Sequence, residues 1–140
     1  MDRKIYILYV DDMRVCPYSN ISKEVALYLK EIAFDDIVVD TAYSYKEALK
    51  KIENFWQNRG MDLLFVDFDY DLEEDRSGYD LAEKLVEKGI YGFYHVHSMN
   101  PVGKENICNL LDYYKWHRMV YVDDHNGDYR WREAKFFGQR

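Results

Sequence analysis

Proline and cysteine are scarce in this chain, two of each among 140 residues, and only seven glycines accompany them. That scarcity excludes collagen-like repeats, Pro/Gly-rich linkers and a scaffold stapled by several disulfides. Long hydrophobic runs are missing too. Ile5–Val10 is strand-sized, far short of the roughly 20 apolar residues that span a membrane. The run after Asp2, Arg3 and Lys4 stops at Asp11 without a small-residue cleavage site, so no signal peptide is expected. Cys16 and Cys108 sit in no metal-binding spacing and are expected to be reduced thiols of a cytoplasmic protein. Basic charge is in deficit, with 19 Lys and Arg against 26 Asp and Glu, a net charge of −7. That balance opposes binding to duplex nucleic acid through its phosphates.

What remains is enough for one domain with its own core. Lys4–Val10 is a mostly apolar run ending in Asp11-Asp12 and is expected as a buried strand. Ser22 is placed to cap a helix carrying Val25, Ala26, Leu29, Ile32 and Ala33 on one face. Ile37–Val39 gives a second strand, and Ser44 with Glu47 a capping box for a helix bearing Ala48, Leu49, Ile52, Phe55 and Trp56. Met61–Val66 is a third strand, followed by the acidic stretch Asp67–Asp75 and a helix that opens at Ser77-Gly78. Ile90–Val96 is a fourth, ending in His97-Ser98 and followed by a helix from Pro101. Arg118–Val122 is a fifth, ending in Asp123-Asp124. The tail from 125 to 140 is basic and aromatic, and a short last helix is expected there, outside a core spanning about 4–124. Strands alternating with helices over short connections imply an α/β fold with a doubly wound, five-stranded parallel sheet of order 2-1-3-4-5.

In such a sheet, ligands bind beyond the carboxyl ends of the strands. Four of the five expected strands end in polar residues that would converge there. Asp11, Asp12 and Asp67 form a carboxylate trio suited to a hard divalent cation such as Mg²⁺; capping and solvation are the competing explanation. Arg14 is placed to clamp a phosphate or to pair with those acids. His97 can pass a proton to or from a phosphoester oxygen, and Ser98 sits beside it. His95 shares the parity of His97 but lies deeper in its strand. Asn100 to Gly103 could offer backbone N–H groups to an anion at a helix start. The fourteen tyrosines mostly read as packing residues.

The order of these strand ends resembles that of response-regulator receiver domains, with Asp11 and Asp12 as the acidic pair, Asp67 as the phosphoacceptor and Ser98 as the hydroxyl residue. The strand-five lysine of receivers is replaced by Asp123-Asp124. Three motifs resemble more closely a divergent receiver-like family named for cyclic-phosphate processing: Val10–Arg14 (VDDMR), the D-x-D of Asp67 and Asp69 with Ser77–Ala82 (SGYDLA), and His97–Asn106 (HSMNPVGKEN). One departure is Phe68, where that family usually places histidine between the two aspartates. The resemblance implies a flavodoxin-like domain acting on cyclic phosphates of nucleotides or RNA ends. Asp11, Asp12 and Asp67 would hold the cation, while Arg14, Ser98, Asn100 and Gly103 would contact phosphate. Asp69 would orient water and His97 would protonate the leaving oxygen. The alternative is a non-catalytic signalling or nucleotide-binding module. Ten acids lie in three strand-end loops, and without them sixteen acids would face nineteen bases, so the acidity is concentrated where a site is expected.

Overall fold

A computed structural model describes residues 4–12, 36–72, 75–123 and 129–133. In chain order these form β1 (Lys4–Val10), β2 (Asp36–Ala42), α1 (Tyr45–Gln57), β3 (Leu63–Phe68), α2 (Gly78–Glu87), β4 (Phe93–Val96), α3 (Pro101–Tyr113), β5 (His117–Asp123) and β6 (Tyr129–Glu133). The helix expected after Ser22, and with it Arg14 and Cys16, lies outside the described residues.

The first five strands make the expected parallel sheet of order 2-1-3-4-5. Alternation along each strand splits its side chains between two cores. Leu8, Val10, Leu64, Val66, Phe68, Tyr94 and Val96 pack with Ala48, Ile52, Leu81, Leu85, Ile107 and Leu111 of the three helices. Ile5, Ile7, Phe65 and Met119 form a second cluster on the other face. Apolar packing on both faces explains why β1 and β3 read as nearly continuous hydrophobic runs. Each large side chain buried there contributes about 1.5–3 kcal/mol.

Several boundaries differ from the sequence-based expectation: β4 begins at Phe93 rather than Ile90, and β5 gains one residue at each end. The tail does not supply a last helix among the described residues; instead β6 pairs antiparallel with β5, from Met119↔Glu133 to Asp123↔Tyr129. Tyr-Arg-Trp-Arg-Glu alternates with period two, as a strand requires. The sheet therefore has six strands and extends past residue 124. Strand β3 begins at Leu63 rather than Met61, because the Asp62 N–H turns back to the Arg59 carbonyl at 2.8 Å. It runs on through Asp67 to Phe68, so Asp67 is inside the strand and not beyond its end.

The helix starts are held by side chains. Ser77 and Asp80 form a reciprocal capping box on α2, and Asn100 Oδ1 accepts the Gly103 N–H at 2.9 Å with Pro101 in the first turn of α3. Two glycines then clamp the loop after β3. A Cβ on Gly78 would lie 1.9 Å from the Asp69 carbonyl oxygen, and one on Gly103 would lie 2.3 Å from the Tyr70 ring. The Gly78 N–H also donates to the Tyr70 carbonyl at 2.8 Å. At the other end of α3, Lys115 takes the left-handed conformation, φ 69°, that ends helices and favours glycine.

Two stability changes follow. Gly78→Ala should cost about 1–3 kcal/mol, because backbone rather than a flexible side chain must move. Lys115→Gly should gain about 0.5–1 kcal/mol by relieving the left-handed backbone. Urea denaturation measures both, and an unchanged midpoint for Gly78→Ala would contradict the clamp.

Candidate active site

Strands β1, β3 and β4 are neighbours, and their register puts Tyr9 opposite Asp67 and Asp67 opposite His95. The next row on the same face holds Asp11, Asp69 and His97. Its backbone is fixed where the strands end: the Asp11 N–H donates to the Ala42 carbonyl at 3.0 Å, Asp69 to Val10 at 3.1 Å and His97 to Phe68 at 2.9 Å. A two-residue step therefore carries the chain from a buried row to the mouth of the site.

Asp67 is the centre of this arrangement and only 3% exposed. Its Oδ1 lies 2.9 Å from His95 Nδ1 and 2.8 Å from His97 Nδ1. The far side of the His97 ring places Nε2 3.0 Å from Asp11 Oδ2. Tyr9 stacks on His97 with ring centroids 4.4 Å apart and planes 7° from parallel. A histidine between two carboxylates must donate from both nitrogens, and only the imidazolium does so.

The electrostatics agree with that proton count. Burial alone would raise the Asp67 carboxyl, but the charges and hydrogen bonds of His95 and His97 hold it well below the usual carboxylate range. Burial alone would lower His97; Asp67, followed by Asp69 and Asp11, raises it. Asp69 moves the other way from Asp67, pushed up by burial and by the charges of Asp11 and Asp12 against the pull of His97. Burial and the charges of Asp67, Asp11 and Asp69 push up the Tyr9 hydroxyl. The site thus sets a carboxyl shifted toward a better base beside an imidazole shifted toward a persistent acid.

Residues 6–113 match the family described as the cyclic-phosphate processing receiver domain. The chain belongs to that family. A search of curated proteins finds no match. Among solved structures, the isolated REC domain of RcsB from Salmonella enterica serovar Typhimurium, in the presence of the phosphomimetic BeF3−, is similar to 75% of this chain over 70% of its own. The two are 14% identical with a TM-score of 0.45.

Within this cyclic-phosphate processing receiver domain, the sequence-derived candidates fall into three groups. Asp11, Asp69 and His97 come together, each offering a ligand atom within 4.8 Å of the others. Asp67 adjoins them, but one of its oxygens already holds two imidazoles, and Asp12 is not part of the close group. Among the described residues, the donor atoms that lie close together are two carboxylates and an imidazole; the expected trio Asp11, Asp12 and Asp67 does not form such a group. That mixed set suits a transition-metal dication better than Mg²⁺. The third group serves the scaffold. Asn100 Oδ1 and the Gly103 N–H are bonded to each other, Gly103 packs on Tyr70, and Ser98 Oγ accepts the Asn100 N–H at 3.1 Å.

Phe68, between the two aspartates, is fully buried on the helix face, 6.4 Å from the Trp116 ring. The alternation that sends Asp67 to one face sends residue 68 to the other. Phe68 thus builds the core beneath the site. The residues undervalued from sequence are His95 and Tyr9. Shared parity with His97 was the available signal for His95; for Tyr9 only the strand register reveals it.

The His97 shift has a measurable consequence. A raised folded value gives stability that is complete below the unfolded histidine value of about 6.5 and is lost as pH rises through the folded value. The depressed Asp67 acts at the other end: its contribution is present above about pH 3.9 and lost as pH falls toward its folded value. As pH rises above about 6.5 the protein should lose stability with a slope of up to about 1.4 kcal/mol per pH unit. His97→Gln should lack that slope. Urea denaturation across this range checks it, and an unchanged slope in the variant would refute the assignment.

Proposed function

We propose that this domain hydrolyses a cyclic phosphate of a nucleotide or an RNA end. The observation that carries the reading is His97, held between Asp67 and Asp11 with Asp69 a few ångströms away. Membership of a family described by cyclic-phosphate processing supports the substrate class. Water attacks phosphorus while Asp69 accepts its proton, and a new P–O bond forms. The bond to one ribose oxygen breaks, and that oxygen takes a proton from His97 Nε2, which turns from Asp11 to the leaving group. The product is a phosphomonoester, and proton exchange with solvent resets both groups. Asp67 and His95 keep the His97 ring in orientation, and Tyr9 fixes its plane. Arg14, which lies outside the described residues, and Ser98 would contact the non-bridging oxygens. No Asp67 phosphorylation is needed; its burial and its two imidazole partners favour an orienting role over that of a phosphoacceptor.

A divalent metal fits Asp11, Asp69 and His97 by donor chemistry, and when bound it would polarise a phosphoryl oxygen and acidify a water. Such a metal competes with the proton on His97 Nε2, since one nitrogen cannot donate to Asp11 and ligate together. No helix among the described residues is long and apolar enough to cross a membrane.

The test is turnover of 2′,3′- and 3′,5′-cyclic nucleotides, with and without Mg²⁺ or Mn²⁺. His97→Ala should lower kcat about 10²–10⁴-fold while retaining cooperative unfolding. Activity that survives His97→Ala, or a Mg²⁺-dependent beryllofluoride response abolished by Asp67→Asn in a protein without turnover, would favour the signalling module instead.

A further inference from the structure

The pairing of β4 with β5 is short. It covers Phe93↔His117 and Tyr94↔Arg118, after which β5 runs alongside β6. Where the two strands part, a cleft of about 270 Å³ opens, with His95, Lys104, Cys108, Arg118 and Met119 on its walls. Such a parting is unexpected in a parallel sheet with strands on both sides, and it leaves room beside the buried row that carries Asp67.

The walls of this cleft differ in charge from the rest of the strand-end surface. Arg118 is one-third exposed, and its Nη1 reaches Asp112 Oδ2 only at 3.7 Å, so the guanidinium keeps donors for another acceptor. Asp112 is already engaged, accepting the Tyr94 hydroxyl proton at 2.5 Å. Lys104 rises from the first turns of α3 and makes no ion pair among the described residues. Burial pushes the Cys108 thiol up against the opposing pull of Arg118, the Tyr94 hydroxyl and Lys104. Among the described residues, two cations and no carboxylate stand on the walls of this cleft, in a protein whose net charge is −7.

The geometry points to a phosphate-binding subsite in the β4–β5 cleft, formed by Arg118 and Lys104. The guanidinium fork matches two oxygens of one phosphate, and the ammonium supplies a mobile point charge for the third. The volume lies below the 300–1,000 Å³ of pockets that enclose a whole small ligand, so the cleft takes a phosphate group and not a complete nucleotide. The group is either free phosphate or the 5′-phosphate of a nucleotide whose remainder lies outside. His95 forms a wall of the cleft and also bonds Asp67. A ligand here would therefore sit one side chain away from Asp67. The inference stands without the proposed hydrolysis, because neither Arg118 nor Lys104 takes part in it.

The experiment is an NMR titration of the full chain with inorganic phosphate, against sodium chloride at equal ionic strength, with adenosine 5′-monophosphate as a second arm. Saturable shifts at Arg118, Met119 and Cys108 are expected. Arg118→Gln should weaken binding about tenfold or more, the loss of one charged hydrogen-bonding partner. Lys104→Gln, an exposed change that spares the fold, should weaken it several-fold, and His97→Gln should leave it intact. Tighter binding of the nucleotide at the same resonances identifies a nucleotide phosphate; equal binding identifies the free anion. Shifts that match those of chloride, or that persist in both cleft variants, or that vanish in His97→Gln, would overturn the subsite. Cleft binding without any cyclic-phosphate turnover would uphold it while removing the hydrolase reading.

Discussion

A carboxylate at 3% exposure in the middle of a parallel sheet is the constraint on which this site depends. An uncompensated ionised Asp67 would cost several kcal/mol in desolvation. Two imidazoles on one oxygen meet that cost: His95 from β4 and His97 from the residue that follows its last one. The ion cluster therefore locks β3 against β4 in one register. The second nitrogen of His97 extends the lock to Asp11 and so to β1. Slipping any of these strands by one residue would turn Asp67 or the histidines toward the helices and leave charge unpaired among Phe68, Tyr94 and Trp116. Fold and site are in this sense a single arrangement: the hydrophobic pattern chooses the face, and the carboxylate–imidazole contacts fix the alignment on it.

The two motifs with the strongest family signal prove to be largely about the loop that carries Asp69. Ser77-Gly78 caps α2 and lets it approach the Asp69 carbonyl, while Asn100-Pro101-Val102-Gly103 caps α3 and lets it approach the Tyr70 ring. Any side chain at either glycine would push that loop, and Asp69 with it, away from Asp11 and His97. Since positions a fraction of an ångström apart separate a useful proton acceptor from a useless one, a loop pinned from two helices is what such chemistry needs. Motif specificity here reports preorganisation of the site more than contact with ligand.

Much of this was legible in the sequence because it rests on local rules. Apolar runs, the S-x-x-E cap and strand ends rich in aspartate carried the order of elements and named Asp11, Asp67 and His97 as residues of one sheet edge, while Asp69 entered through the family resemblance. What stayed hidden depends on pairing between distant segments. The extent of β3 is set by its neighbours, so Asp67 read as a strand-end residue when it is a strand-interior one. His95 ranked below His97 because it lies deeper in its strand, a judgement that assumed no buried acid opposite it. The last strand was missed although Tyr129–Glu133 alternates cleanly and Asn126-Gly127, a common hairpin dipeptide, precedes it. Basic and aromatic composition suggested a tail, yet period, not composition, decides between strand and helix.

The concentrated acidity also acquires a different meaning once the rows are known. Taken as a bare cluster, Asp11, Asp12 and Asp67 call for a bound cation. In the folded chain, Asp11 and Asp67 share the His97 proton charge between them, and His95 adds a second donor to Asp67. The electrostatic demand then falls on Asp69, whose carboxyl is pushed up by burial and by Asp11 and Asp12. A carboxyl in that position can relax in two ways: by taking up a proton, which in the proposed hydrolysis comes from the attacking water, or by sharing a dication with Asp11 and His97. The two are exclusive at His97 Nε2, which either keeps its proton or gives it up to the metal. In the proposed hydrolysis these side chains would transfer protons while His97 keeps its Nε2 proton, and would take a dication only once that proton is lost. The ionisation of one imidazole separates these regimes.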